Sequence, residues 1–163
     1  MIVYLATMDD YQAWLDFTER VLPIFGIELS TDEGYQKALE KNIRRGTAFC
    51  IKADDAPDRK IIGGMLLSPT QKPVYQIGWF AVDKDFMHRG IGTTLFKFMM
   101  TRIEPPAEVF VDTFTASDPH GISARNFYAK MGMVPAEIIE GDFPHGRQCQ
   151  IYRKKLEAFE PMV

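Results

Sequence analysis

The chain has 163 residues, enough for one domain with a substantial buried core and no need of a disulfide scaffold. Hydrophobic residues at 46% and charged residues at 25% describe a globular chain and exclude a disordered one. A net charge of −3 argues against nucleic-acid binding, and no apolar run approaches the ~20 residues of a membrane span. The start, Met1–Ala6, lacks a basic region and its apolar run is short, so a signal peptide is not expected and a cytoplasmic location is. Cys50 and Cys149 each sit in a strand-like run and are expected to be ordinary reduced residues.

Ile2–Ala6 reads as a first strand. Thr7 and Asp10 then form a capping-box-like start. Tyr11, Trp14, Leu15, Thr18, Val21 and Leu22 follow helical spacing, and Pro23 is expected to stop that helix. Ser30 with Glu33 repeats the cap signature before a second stripe, Tyr35, Ala38, Leu39 and Ile43, and Gly46 suits its C-terminal cap. Strands are expected over Ala48–Lys52 and Ile61–Leu67, around the polar turn Asp54–Asp58, and over Val74–Val82 after the breaker stretch Ser68–Pro73. A third helix is predicted from Gly90 to Ile103, with Ile91, Leu95, Phe98, Met99 and Ile103 near one face, before Pro105-Pro106 ends it. Val109–Thr115 is the fifth strand. Ala124, Phe127, Tyr128 and Met131 mark a fourth helix, closed by Gly132. Val134–Ile139 and Gln148–Arg153 are the last two strands, around a turn over Gly141–Gly146.

The order β-α-α-β-β-β-α-β-α-β-β predicts one domain over residues 1–163, of α/β (α+β) class. Consecutive strands imply a mixed, mostly antiparallel seven-stranded sheet flanked by about four helices. The crossovers around the third and fourth helices are expected to supply its parallel part.

The stretch Trp79–Gly92 carries the most chemistry. A strand ends near Val82, a polar loop follows, and a helix opens around Gly90. The first N–H groups of a helix lack intrahelical partners, and with the helix dipole they attract an anion such as pyrophosphate. Gly90 and Gly92 permit close approach of backbone to phosphate, and His88 and Arg89 put donors at the mouth. The alternative is a tight turn that packs a helix on a sheet. Leu95 fills the third glycine place of the dinucleotide pattern, and Gly92-Thr93-Thr94 lacks the lysine of a P-loop.

This segment resembles the GNAT (N-acetyltransferase) superfamily. Its pyrophosphate motif, Gln/Arg-x-x-Gly-x-Gly/Ala, is matched by Met87-His88-Arg89-Gly90-Ile91-Gly92, with Met87 in the Gln/Arg place. Its later motif, Ala-x-x-Phe/Leu-Tyr-x-Lys-x-Gly-Phe, is matched by Ala124–Met133, with Gly121 where that motif often has Asn. The likeness is strong over Val74–Met133, and element order extends it to the rest, with residues 1–60 contributing the acceptor pocket. The resemblance implies acetyl-CoA as acyl donor, no metal, and direct attack of a small-molecule or peptide amine on the thioester. It implies a coenzyme site on Phe80, Ala81, Val82, His88, Arg89, Gly90, Ile91, Gly92 and Thr93. The arm would run along the strand edge Phe80–Val82, and the turn would hold the pyrophosphate.

The resemblance also gives Tyr128 the role of acid to the departing thiolate. Its place on an apolar stripe allows a packing role instead. Val74–Val82 has no carboxylate to act as base. Asp112 shares an alternating face with Phe110 and Phe114, and is either that base or a hydrogen-bonded structural residue. Glu28, Glu33 or a water chain are further options. Phe25 and Ile27, in Leu22–Leu29, would help line the acceptor pocket. His88, His120 and His145 have no metal-ligand spacing. A catalytically silent acyl-CoA-binding module is the other reading of the chain. Nucleic acid and membrane partners are not expected, and the resemblance allows a homodimer through the terminal strands.

Overall fold

A computed structural model describes residues 1–25, 29–143 and 147–158. Its elements are β1 (Val3–Leu5), α1 (Tyr11–Phe25), α2 (Glu33–Arg45), β2 (Ala48–Lys52), β3 (Ile61–Gln71), β4 (Val74–Val82), α3 (Ile91–Thr101), β5 (Ala107–Phe114), α4 (Ile122–Lys130), β6 (Val134–Phe143) and β7 (Arg147–Leu156). The seven strands form one mixed sheet in the order β1-β2-β3-β4-β5-β7-β6. The α/β class, the strand count and the four helices agree with the sequence. Among the described residues no helix is long and apolar enough to cross a membrane.

Only one of the two expected crossovers produces parallel neighbours. β4 pairs with β5 in parallel, Val74–Ile77 against Glu108–Val111. β6 follows β5 through α4 but does not lie beside it. β7 pairs antiparallel with both and stands between them. A short hairpin lets the chain return into the gap next to β5, which a β-α-β spacing alone does not reveal.

Element ends also differ. Pro23 lies inside α1, which runs to Phe25. Pro23 costs the helix the bond to the carbonyl four residues back and crowds it, yet the helix closes only two residues later. The second helix is capped by Asp32 rather than Ser30: its carboxylate accepts from the Tyr35 N–H at 2.7 Å. The Asp10 carboxylate accepts from the Thr7 N–H at 2.9 Å, as the cap signature predicts. Gly46 closes α2 with φ of 81°.

The chain divides into two compact units, residues 1–67 with 78–100, and residues 68–77 with 101–163. In the first, Trp14, Phe17, Tyr35 and Trp79 form an aromatic cluster, with Trp79 centred 5.9, 5.7 and 5.8 Å from Trp14, Phe17 and Tyr35. Trp14, Thr18 and Tyr35 meet each other's polar atoms within it. The Trp14 indole N–H donates to the Tyr35 hydroxyl at 3.0 Å, and the Thr18 and Tyr35 hydroxyls lie 2.8 Å apart. Burial pushes the Tyr35 pKa up to about 12. Lys52 is likewise buried, with its ammonium on Asp10 at 2.7 Å. Cys50 and Cys149 are buried thiols, and burial raises the Cys50 pKa to about 12.

Two successive glycines on β3 set the helices on the sheet. A Cβ on Gly64 would stand 2.9 Å from the Trp14 ring of α1. A Cβ on Gly63 would stand 2.4 Å from Cγ2 of Ile91, the first residue of α3. Alternation sends these neighbours to opposite faces, so each glycine admits one helix. Gly63→Val should lower Tm by roughly 5–10 °C, since overpacking costs about 1–3 kcal/mol and more than one methyl is added. An unchanged melting temperature would contradict this packing.

In the second unit, β5 pairs with β7 over its whole length, from Ala107↔Leu156 to Phe114↔Cys149. Ala107, Val109, Val111 and Thr113 are buried on one face, and Glu108, Phe110 and Asp112 are half-buried on the other.

Candidate functional site

The anion turn is built from the end of β4. Asp83, 4% exposed, ends the strand, and its N–H donates to the Ile62 carbonyl at 2.8 Å. Its carboxylate accepts from Arg20 Nε at 3.3 Å and from the Asp85 N–H at 3.0 Å, capping the 3-10 turn Lys84–Phe86. Arg20 also donates to the Ile61 carbonyl at 2.6 Å. The loop that enters the turn is therefore tied to β3 and α1.

The backbone then takes left-handed angles at His88 (φ 63°) and Gly90 (φ 82°). Histidine is one of the few residue types other than glycine that enters this conformation with any frequency, at a steric cost. A Cβ on Gly90 would meet nothing within 4 Å, so packing does not require this glycine. Its angle requires it, and the space above it is open. The Thr94 N–H and hydroxyl both donate to the Gly90 carbonyl, at 2.9 and 2.8 Å. Gly90 is thus the residue before the helix, and helix geometry leaves the N–H groups of Ile91, Gly92 and Thr93 without intrahelical acceptors. The Ile91 side chain is buried and anchors that first turn. His88 and Arg89 are exposed beside it. These donors suit an anion with several oxygens, and pyrophosphate fits. On β4, Ala81 is buried in the aromatic core, while Phe80 and Val82 are half-buried.

In the second unit, Tyr128 is the buried residue of α4. Its ring centre lies 5.7 Å from Phe127 and 6.1 Å from Tyr152. Burial raises its pKa above the usual phenol value, so it holds its proton at neutral pH. Tyr152 is paired with Val111, whereas Asp112 is paired with Ile151. Directly opposed residues share a face, so Tyr128 and Asp112 serve opposite faces of β5. Asp112 is half-buried.

Sequence reasoning passed over Arg125. Its guanidinium donates to the carbonyls of Phe114, Thr115, Asp118 and Ala116, fastening the β5–α4 loop. A Cβ on Gly121 would stand 2.4 Å from Phe114 Cβ and 2.6 Å from Arg125 Nη1. The side chain that the resemblance puts at this position has no room, and Arg125 holds the loop by other means. The sequence signal for Asp83 was its place between a strand and the turn. Arg125 gave none, because its targets are backbone oxygens. Ile27, Glu28 and His145, with part of the Gly141–Gly146 turn, lie outside the described residues, as do the side chains of Phe25 and His120. Among the described residues no group of acids, histidines or cysteines gathers to hold a metal.

The model of the acetyltransferase (GNAT) family matches residues 9–133. Solved structures share the fold. Ard1 from Thermoplasma volcanium has a TM-score of 0.75 at 15% identity, covering 98% of each chain. A ribosomal-protein-alanine N-acetyltransferase from Brucella melitensis has a TM-score of 0.72 at 16% identity, covering 96% of this chain and 100% of its own. An aminoglycoside 6′-N-acetyltransferase in complex with coenzyme A has a TM-score of 0.70 at 10% identity, covering 99% of this chain and 100% of its own. None of the curated protein sequences matches this chain.

Proposed function

As the chain belongs to the acetyltransferase (GNAT) family, we propose that it transfers the acetyl group of acetyl-CoA directly to the nitrogen of a small-molecule or peptide amine. The observation that carries the coenzyme half of this reading is the turn at Gly90. Its open left-handed glycine and the N–H groups of Ile91, Gly92 and Thr93 form a cradle for pyrophosphate. His88 and Arg89 add donors at its mouth, and the Phe80–Val82 backbone lines the path of the arm. Acetyl-CoA supplies the activated thioester. The chain supplies position and proton transfer.

Tyr128 is the acid. Its raised pKa keeps the phenol protonated until the leaving sulfur takes the proton. Asp112 is the base. It lies on the other face of β5 from Tyr128, so the amine proton reaches it through a relay of water rather than by direct contact at the carbon that Tyr128 serves. Asp112→Asn should cost at least ~10-fold in kcat/KM and remove the rising limb of its pH profile. Amines of different pKa separate that limb from the substrate's own titration. A variant keeping both rate and limb would return Asp112 to a structural role.

The whole reading is tested by thiol release from acetyl-CoA offered with a panel of amines. Aminoglycosides and peptides with free amino termini belong in it, since two structural neighbours are named for such acceptors. Acceptor-dependent release is expected. Coenzyme binding with no release across the panel would leave a silent binding module.

A further inference from the structure

We propose that Phe86, with the two cations held on its ring, forms a phosphomonoester site that takes the 3′-phosphate of coenzyme A and favours it over dephospho-CoA. The inference rests on the reading of Ile91–Thr93 as the pyrophosphate turn. The Lys60 ammonium lies 5.2 Å from the Phe86 ring centre and the Arg89 guanidinium carbon 5.1 Å from it. Lys60 comes from the β2–β3 loop and Arg89 from the turn, so two distant stretches of chain deliver charge to one ring. Two cations gathered about one ring repel each other. The ring's negative faces offset part of that cost, at about 0.5–1 kcal/mol per exposed cation.

Several other basic side chains of this unit are paired with acids: Arg20 with Asp83, Lys52 with Asp10 and Arg44 with Glu40. Among the described residues, neither Lys60 nor Arg89 is paired with a carboxylate. Lys84 and His88 are exposed in the same segment, against the single exposed acid Asp85. The patch is thus a local excess of positive charge on an acidic chain. A phosphomonoester is close to a dianion at neutral pH and matches two cations, whereas each pyrophosphate group is met by backbone N–H donors. Arg89 directly precedes Gly90, so the patch borders the cradle. Coenzyme A carries both groups on one ribose, a few bonds apart.

Calorimetry with CoA and dephospho-CoA tests the site, using the wild type, Lys60→Met and Phe86→Leu. The wild type should bind CoA about tenfold or more tightly than dephospho-CoA, a margin of ~1.4 kcal/mol. Lys60→Met should weaken CoA about tenfold and leave dephospho-CoA unchanged, and Phe86→Leu should narrow the same ratio. Equal wild-type affinities, or a Lys60→Met variant that weakens both ligands alike, would overturn the proposal. So would inorganic phosphate that binds through Lys60 while the two coenzymes bind equally, since the site would then serve a separate phosphate. Failure of both coenzymes to bind would overturn the pyrophosphate reading itself, a result distinct from equal binding.

Discussion

Tyr128→Phe should lower kcat by about 10²–10⁴-fold and leave CoA affinity nearly unchanged. The phenol is buried on α4 beside Tyr152, and its pKa is raised by that burial. It therefore enters the reaction protonated, and the hydroxyl is needed most when the sulfur departs with its charge. An interaction made chiefly in the transition state appears in kcat and not in ground-state binding. The substitution keeps the ring, so the contacts with Phe127 and Tyr152 persist and the fold has little reason to respond. The raised pKa fixes a sign as well. Activity should not fall through loss of this proton at any pH up to the usual phenol value near 10, because the group titrates above it. A variant with wild-type kcat on its true acceptor would make Tyr128 a packing residue.

Gly90→Val should weaken CoA binding by at least about 100-fold, or ~2.7 kcal/mol. Two effects act in the same direction. The residue sits at φ 82°, where a β-branched side chain is strained and pulls the turn out of shape. Its side chain would also project into the open space over the turn, where phosphate oxygens have to approach Ile91, Gly92 and Thr93. A melting curve separates the two: strain alone lowers Tm, and blocked access appears as lost affinity in protein that is still folded. Unchanged CoA affinity in a folded Gly90→Val protein would remove the pyrophosphate from this turn.

Much of the architecture is legible in the sequence because single residues carry it. The stripe Tyr35, Leu39 and Ile43 followed by Gly46 gives a helix and its left-handed end, and the buried residues of α2 follow that stripe. The phosphate turn is readable for the same reason, since a backbone cradle is written in glycines. What escapes is decided by partners distant in sequence or by backbone atoms. Nothing local in β7 says that it inserts between β5 and β6. Phe98 fits the predicted stripe of α3, yet it is half-buried on Phe49 at 5.2 Å, while Phe96 is buried. Asp32 takes the cap expected of Ser30 because either residue type serves at that position. Within the site, the support from Arg20 to Asp83 spans 63 positions, and Arg125 acts on carbonyls that carry no side-chain signature. The departure at Gly121 becomes intelligible only when Phe114 and Arg125 are seen to fill the space of its missing Cβ.

The most direct measurement is the thiol released when the protein, in amounts comparable to acetyl-CoA, is mixed rapidly with it in the presence and absence of a competent amine. Direct transfer predicts no release without the amine and, with it, release matched one for one by acetylated nitrogen. A burst of thiol before any amine is added would contradict direct attack, and coenzyme binding without release for any amine would contradict catalysis.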